Sequence, residues 1–434
     1  FYVESLEQFK SVILKKVLEI DYLLLSQTNS VIEHPSFKAL EVLWTGLNQV
    51  VSTNAGCSDC KVKVLNFDWF EISRDLNYSP ELSRSFLYNL IGSRELETLG
   101  GEPFGLVMID HELSMSLETN FDDLLTAQLI CNLGALCACP FIMGVGEDFF
   151  GETDAAWYVD INRVSNVLNS SEYKPWHNLR RQKNARYLGL VLSQILLRAP
   201  YQDKNMGFRF HQTPSMSSGI WGSAAVEFVQ TVLKEFKLRG WFGFLKLISS
   251  ETGVGAVLDN NKLGPKECYK TKTSRIKFTR SVANFYADKG FIPIAESPKN
   301  GSLYFVGNRS VSFCNDSEEE QILTQIQSVL IACRLIHFVK MQNRYLVGQY
   351  NSPSECEAIL NSWLENYCSP SSGSMELEAK FPIRQAEIRV SLDRLDETKF
   401  ACELTFKPQY QIDHVLGEVQ VSTSFGASTN KGAN

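Results

Sequence analysis

Several places in the chain bring together residue types that enzymes use, and each lacks a companion that the chemistry needs. Cys57 and Cys60 have the Cys-x-x-Cys spacing of redox pairs and of half a zinc site. No second pair follows at a zinc-site distance, and the pair precedes a strand-like run instead of opening a helix, whose dipole would lower a thiol pKa. Loop cysteines are the simpler reading. His111-Glu112 begins like His-Glu-x-x-His, but Met115 stands where the second histidine must be, so a zinc-protease reading fails. Gly144, Gly146 and Gly151 miss the Gly-x-Gly-x-x-Gly spacing, and no Gly-Lys-Ser/Thr cradle for phosphates occurs. There is no Gly-x-Ser-x-Gly elbow either. His337, between Ile336 and Phe338, reads as a packed histidine, and His34 as the flank of a helix start. The pattern therefore predicts no catalytic residue, no cofactor and no metal; the remaining enzyme-like cluster is Asp110, His111 and Glu112.

The bulk numbers narrow the classes further. With 434 residues and 44% hydrophobic composition the chain can bury a large core, enough for two to three domains. A formal net charge of −7 without any Lys/Arg run excludes nucleic acid and anionic membrane surfaces as partners. The apolar stretch 124–146 is broken by Gln128, Asn132, Gly134 and Pro140, so it predicts a buried helix followed by a strand, not a membrane span. Eleven cysteines, an odd number scattered through apolar segments, suit a reducing cytosol. No signal peptide is visible. The chain starts at Phe1, next to a helical pattern, which predicts a further segment upstream.

The elements follow from periodicity. Leu6, Phe9, Val12, Ile13, Val17, Ile20 and Leu24 predict a long amphipathic helix over residues 3–30. A second helix starts at Pro35 and runs to about 51, with Leu40, Leu43, Trp44, Leu47 and Val51 on its apolar side. Residues 61–67 alternate as a strand, and 99–110 read as a glycine-rich turn feeding a buried strand. Helices are predicted at 121–139, in the second half of 173–198, at 223–239 with a cap at Gly240, and after Thr279 and Ser317. Residues 354–367 form an amphipathic acidic helix carrying Glu355, Glu357 and Glu365, either a solvated face or a docking surface. The alternation of helices and strands predicts a mixed α/β chain.

After a linker-like Ser/Pro/Gly stretch at 369–374 come two runs of period two: Ile388, Val390 and Leu392, then Phe400, Cys402, Leu404 and Phe406. They predict a pair of half-buried strands joined by a polar connection at 393–399. A lone hairpin is marginal in water, so the pair either finishes an internal sheet or accepts a strand from another chain.

The motifs share an order that resembles a known family. His34-Pro-x-Phe37 is followed by Leu40-Glu-x-x-Trp44-x-Gly-Leu47, then by Gly100-Gly-Glu-Pro-Phe-Gly105. Trp176, Leu179-Arg180, Ala185-Arg-Tyr-Leu-Gly189 and Leu197-Arg-Ala-Pro-Tyr201 come next. Trp221-Gly222, Gly290-Phe-Ile-Pro293, Arg334-x-x-His337, Asn361-x-Trp363 and Phe406-x-Pro408 complete the series. Each is weak alone; over about 380 residues their order resembles the large subunit of the type VI secretion contractile sheath, the TssC/VipB family, and within it the divergent Francisella-type IglB branch. Ser193, where the family has proline in a helix before Arg198, Gln202 after Tyr201 and the connection 393–399 depart from the pattern.

The resemblance implies a contractile-sheath large-subunit fold. N-terminal helices over residues 1–58 would contact the small sheath subunit, through Leu24, Leu40, Trp44 and Leu47. An α/β body would span 59–316, and 317–434 would hold helices and the hairpin whose strands, Ile388 to Leu392 and Phe400 to Phe406, pair with neighbouring chains. The donor strand would lie upstream of the first helix. The implied role is structural: copies polymerise with the small subunit (TssB/VipA/IglA-like) around an inner Hcp tube in the bacterial cytoplasm, with no direct membrane insertion. Glu355, Glu357 and Glu365 are candidates to face that tube, and a ClpV-type AAA+ ATPase and a baseplate are implied as further partners. The rival readings are an α/β enzyme built on Asp110, His111 and Glu112 and a phage-type tail sheath protein that assembles alone.

Overall fold

Every other residue of the two innermost strands enters a different core, and this division organises the molecule. The computed structural model describes residues 6–98, 100–115, 121–151, 155–201, 210–212, 219–243, 245, 272–297, 302–314, 318–346, 353–368, 381, 383–392, 399–408 and 419–426. Strands β1 (Val107–Leu113), β2 (Phe141–Val145), β3 (Leu188–Leu192), β6 (Ile292–Glu296) and β7 (Leu303–Phe305) form a five-stranded sheet in that spatial order. Its first four strands are parallel and β7 is antiparallel. Ile142 and Val191 point into one apolar cluster, together with the helices Ala225–Arg239 and Ile326–Leu346. Phe141, Met143, Leu188, Leu190 and Leu192 point into the other, with the helices Asp123–Cys137, Lys174–Arg180 and Arg280–Asp288. A parallel sheet covered on both faces needs near-continuous apolar strands, which is how β2 and β3 read.

That continuity also explains where the sequence misleads. The second half of 173–198 is not helical: after the short helix Lys174–Arg180 the chain forms β3, then β4 (Gln194–Arg198), which pairs with β5 (Ile220–Ser223) in a separate two-stranded ladder. A fully buried strand has no period to separate it from a helix. Ser193, expected within a helix, is the single residue between β3 and β4 and has φ 94°. That conformation costs a non-glycine residue about 1–3 kcal/mol, and its hydroxyl bonds Ser274 Oγ at 2.7 Å.

Residues 61–67 are likewise not a strand: they carry no regular structure and join none of the three sheets. Lys63 pairs with Glu95 at 2.6 Å, Lys61 pairs with Glu102, and Val64 is exposed. The alternation there records side chains standing off a surface. Strand β1, expected to be buried, is an edge strand of mostly intermediate burial.

The ends are built as predicted, with more parts. Helix α1 spans Leu6–Ile32 and α2 Pro35–Asn54; His34 caps α2, its Nδ1 accepting from the Ser36 N–H at 3.3 Å. Gly240 at φ 74° closes the helix Ala225–Arg239. Strands β8 (Ile383–Leu392) and β9 (Lys399–Pro408) pair antiparallel, Ile388 opposite Leu404, and a third strand not anticipated, β10 (Val419–Gly426), pairs with the other edge of β9. Ile388, Val390, Cys402, Leu404 and Phe406 are buried and share the core of the body helices, while Arg389 and Glu403 face out. The side chains of Leu392 and Phe400 lie outside the described residues; their backbones pair with each other.

Candidate assembly surfaces

The apolar stripe of α2 faces away from the body. Leu40, Leu43, Trp44 and Val51 are exposed, Trp44 by 60%, and Leu47 is half-buried. The face turned to the body carries small, polar and β-branched residues, with Val50 packed on the core and Val42 beside Gly222. Gly46 lies under Val226, so close that a Cβ there would stand 3.3 Å from it, and Gln49 and Thr53 bond Gln230. Periodicity thus finds the stripe correctly but cannot say what covers it. Helix α1 goes further, with no buried residue at all: Leu6, Phe9, Ile13, Val17, Ile20 and Leu24 form an exposed apolar line, and Leu14, Leu18 and Tyr22 stand exposed beside it. Scattered exposed apolar residues are ordinary; two consecutive helices of them mark a surface made to be covered.

This pair is held to the body at its corner. Arg198 on β4 grips Glu41 of α2 through two bonds, Nε to Oε1 at 2.6 Å and Nη2 to Oε2 at 3.1 Å, and its guanidinium lies 3.9 Å over the Tyr201 ring. Gln212 donates to Glu33 at the α1–α2 turn, and Lys38 pairs with the same carboxylate. The Arg198–Glu41 pair is largely shielded from solvent, which makes its bidentate geometry count.

The C-terminal sheet offers a different kind of surface. β9, with Phe400, Cys402, Leu404 and Phe406, is the central strand, and both of its edges are taken within this chain, by β8 and β10. Edges remain only on the outer strands, and along β8 part of that edge is occupied by the helix Pro353–Glu365. There Asn361 bonds both the N–H and the carbonyl of Ile388, each at 2.8 Å, and Glu357 accepts from the Val390 N–H at 2.9 Å. Glu357 is therefore turned toward β8, whereas Glu355 and Glu365 are exposed. Sequence reading missed Asn361 as an edge partner; an asparagine inside a helix, where its propensity is poor, was the available signal.

The enzyme-like cluster separates. His111 stacks on Trp69 with ring centroids 4.0 Å apart and bonds Asp123 through Nε2 at 2.9 Å. Burial works against the Asp123 carboxylate, but bonds from His111, the Ser114 N–H and Trp69 outweigh it and hold the pKa below the usual value. Glu112 projects from the other face of β1, where Gln194 Nε2 donates to both its oxygens at 3.1 Å. β1 shifts register between Met108 and Glu112, and His111 and Glu112 end on different partners, Trp69 with Asp123 for the one and Gln194 for the other. Cys57 and Cys60 sit in the turn after α2 as free thiols, tied by Asn54 Nδ2 to the Cys60 carbonyl at 2.9 Å. His337 is buried against the Cys137 carbonyl, and burial lowers its pKa to about 4.

Burial raises Glu112 to about 7. The unfolded chain ionises this carboxyl near its ordinary value, so between pH ~4.5 and 7 the folded state holds more proton and stability falls as pH rises through that window. Glu112→Gln should match the native chain at pH 5 and exceed it at pH 8 by on the order of 2 kcal/mol; urea unfolding at the two pH values checks this, and an equal margin at both would refute it.

Residues 15–312 match a family model described as EvpB/VC_A0108, tail sheath N-terminal domain, and residues 315–425 match its companion, the tail sheath gpW/gp25-like domain. The chain is a tail sheath protein. Within that class it belongs to the VipB (EvpB) family. It is 21% identical over 421 residues to the type VI secretion system sheath protein TssC1 of Pseudomonas aeruginosa, covering 92% of this chain and 82% of that one. Among solved structures it is similar to the sheath of an extracellular contractile injection system, PVC, in the contracted state, at 9% identity and TM-score 0.38 over 71% of this chain and 65% of that one. The sheath tail protein of Desulfitobacterium hafniense gives 9% and 0.33, over 71% of this chain and 62% of that one. The chain thus spans slightly less than two thirds of these solved relatives. Among the described residues no helix is long and apolar enough to cross a membrane.

Proposed function

We propose that this chain, a subunit of the type VI secretion contractile sheath, works without an active site, as a link in a helical polymer. The observation that carries the reading is the α1–α2 pair, whose apolar face is turned outward and whose corner is clamped to the body by Arg198 and Glu41. That face is the docking surface for the small sheath subunit, with Leu24, Leu40, Trp44 and Leu47 in the contact. Neighbouring copies join through strands added at the C-terminal sheet, where main-chain bonds keep subunits linked while they rotate. The polymer encloses an Hcp-type inner tube, faced by the exposed Glu355 and Glu365 of the helix Pro353–Glu365; Glu357 is engaged at β8. A ClpV-type ATPase and a baseplate complete the set of partners, in the bacterial cytoplasm.

Negative-stain microscopy of the chain expressed with and without the protein encoded beside it tests this. Tubes are expected only with the partner. Tubes from the chain alone would favour a phage-type sheath, and a monomer in both cases would sink the reading.

A further inference from the structure

An antiparallel strand turns the N–H and carbonyl of one residue to the same edge and those of the next residue to the opposite edge. Ile388 and Val390 send theirs away from β9, since their N–H groups meet Asn361 and Glu357. These are the groups that an added strand would have to bond. Asn361 answers both bonding groups of Ile388 at once, because an amide side chain carries a donor and an acceptor in the arrangement of a peptide. Its own position is fixed by a second bond from Nδ2 to the Glu357 carbonyl, 3.0 Å. Val390, buried in the core, offers its N–H to a Glu357 side-chain oxygen, a bond that an incoming carbonyl would have to displace.

We propose that Asn361 and Glu357 guard the β8 edge: they occupy the bonding positions of an incoming strand, so another copy of this chain is refused there and strand sharing is confined to the β10 side of the sheet. Covering an edge with a helix is a known way to prevent edge-to-edge pairing; here the cover copies the ladder itself. The proposal rests on strand sharing between copies and adds its polarity.

The test uses the full chain copurified with its neighbour-encoded partner. Asn361→Leu removes both bonds at similar volume, and Glu357→Gln keeps an acceptor for Val390. In an Arg389→Cys background, where the exposed position reports β8 meeting β8, Asn361→Leu should raise disulfide cross-linking between copies roughly tenfold, the factor that the loss of both bonds represents, and Glu357→Gln should not. Equal cross-linking in a variant that melts like the parent overturns the proposal. Amide exchange in the unsubstituted chain decides independently of whether the variant folds. Ile388 and Val390 should exchange equally slowly before and after tube formation, and strong further slowing on assembly would mean that this edge does take a strand. Failure of the unsubstituted chain to form tubes with its partner would strike the sheath reading alone, leaving the cross-linking comparison to judge the guard.

Discussion

Trp44→Asp combined with Leu40→Asp is expected to abolish copurification of the small sheath subunit while leaving the body folded. Trp44 and Leu40 are 60% and 55% exposed, so replacing them costs the isolated chain little, within about 0.5 kcal/mol for surface positions. In a complex the same residues would be covered. Large aromatic anchors at the centre of an interface commonly contribute about 2 kcal/mol or more each, and burying two unpaired carboxylates adds a further penalty. Affinity should fall by at least about 100-fold. Titration of the labelled partner, alongside thermal melting of each variant, measures both halves. Undiminished binding by a folded double variant would remove α2 from the interface.

Arg180→Ala should cost the body on the order of 3–5 kcal/mol, a large fraction of the net stability of a typical domain. The side chain is 5% exposed and packs over the rings of Trp176 and Phe313. Its Nε donates to the Val311 carbonyl and its Nη2 to that of Asp288, both at 3.1 Å. Gly290 at φ 92° lets the chain pass against it; a Cβ there would stand 3.1 Å from Nε. Burial lowers the guanidinium to about 10, still charged at neutral pH. Truncation would strand two carbonyls and open a void beside the stack of Trp176 and Phe291, whose ring centroids are 5.2 Å apart. Arg180→Lys should recover only part, because one ammonium cannot reproduce a planar fork. Urea unfolding reads the loss; a midpoint unchanged in the alanine variant would refute the role.

Much of this was legible in the residues, for reasons that can be named. Helices with an apolar and a polar side declare themselves by period, as α1, α2 and Pro353–Glu365 do, and the C-terminal strands by alternation of Ile388 and Val390 with Glu387 and Arg389. The run 188–198 was not legible because burial on both faces erases the period, and 61–67 misled because lysines paired with Glu95 and Glu102 imitate a pleat. The exposed stripe of α2 followed a similar rule. The stripe of Leu40, Leu43, Trp44 and Leu47 was plain, but only the body's contact with Val42, Gly46, Gln49, Val50 and Thr53 leaves that stripe outside. The edge bonds of Asn361 join positions 27 apart, a pairing that local sequence does not encode.

Ser193 has a mechanical consequence. A pull on the outer helices travels through the Arg198 guanidinium into β4, and one peptide later it reaches β3, the middle strand of the main sheet. That strand is flanked on both sides, by β2 and β6, so traction arriving there is divided between two ladders and does not unzip an edge. The left-handed residue acts as a knuckle in the load path, turning outside force onto the part of the molecule best braced to bear it.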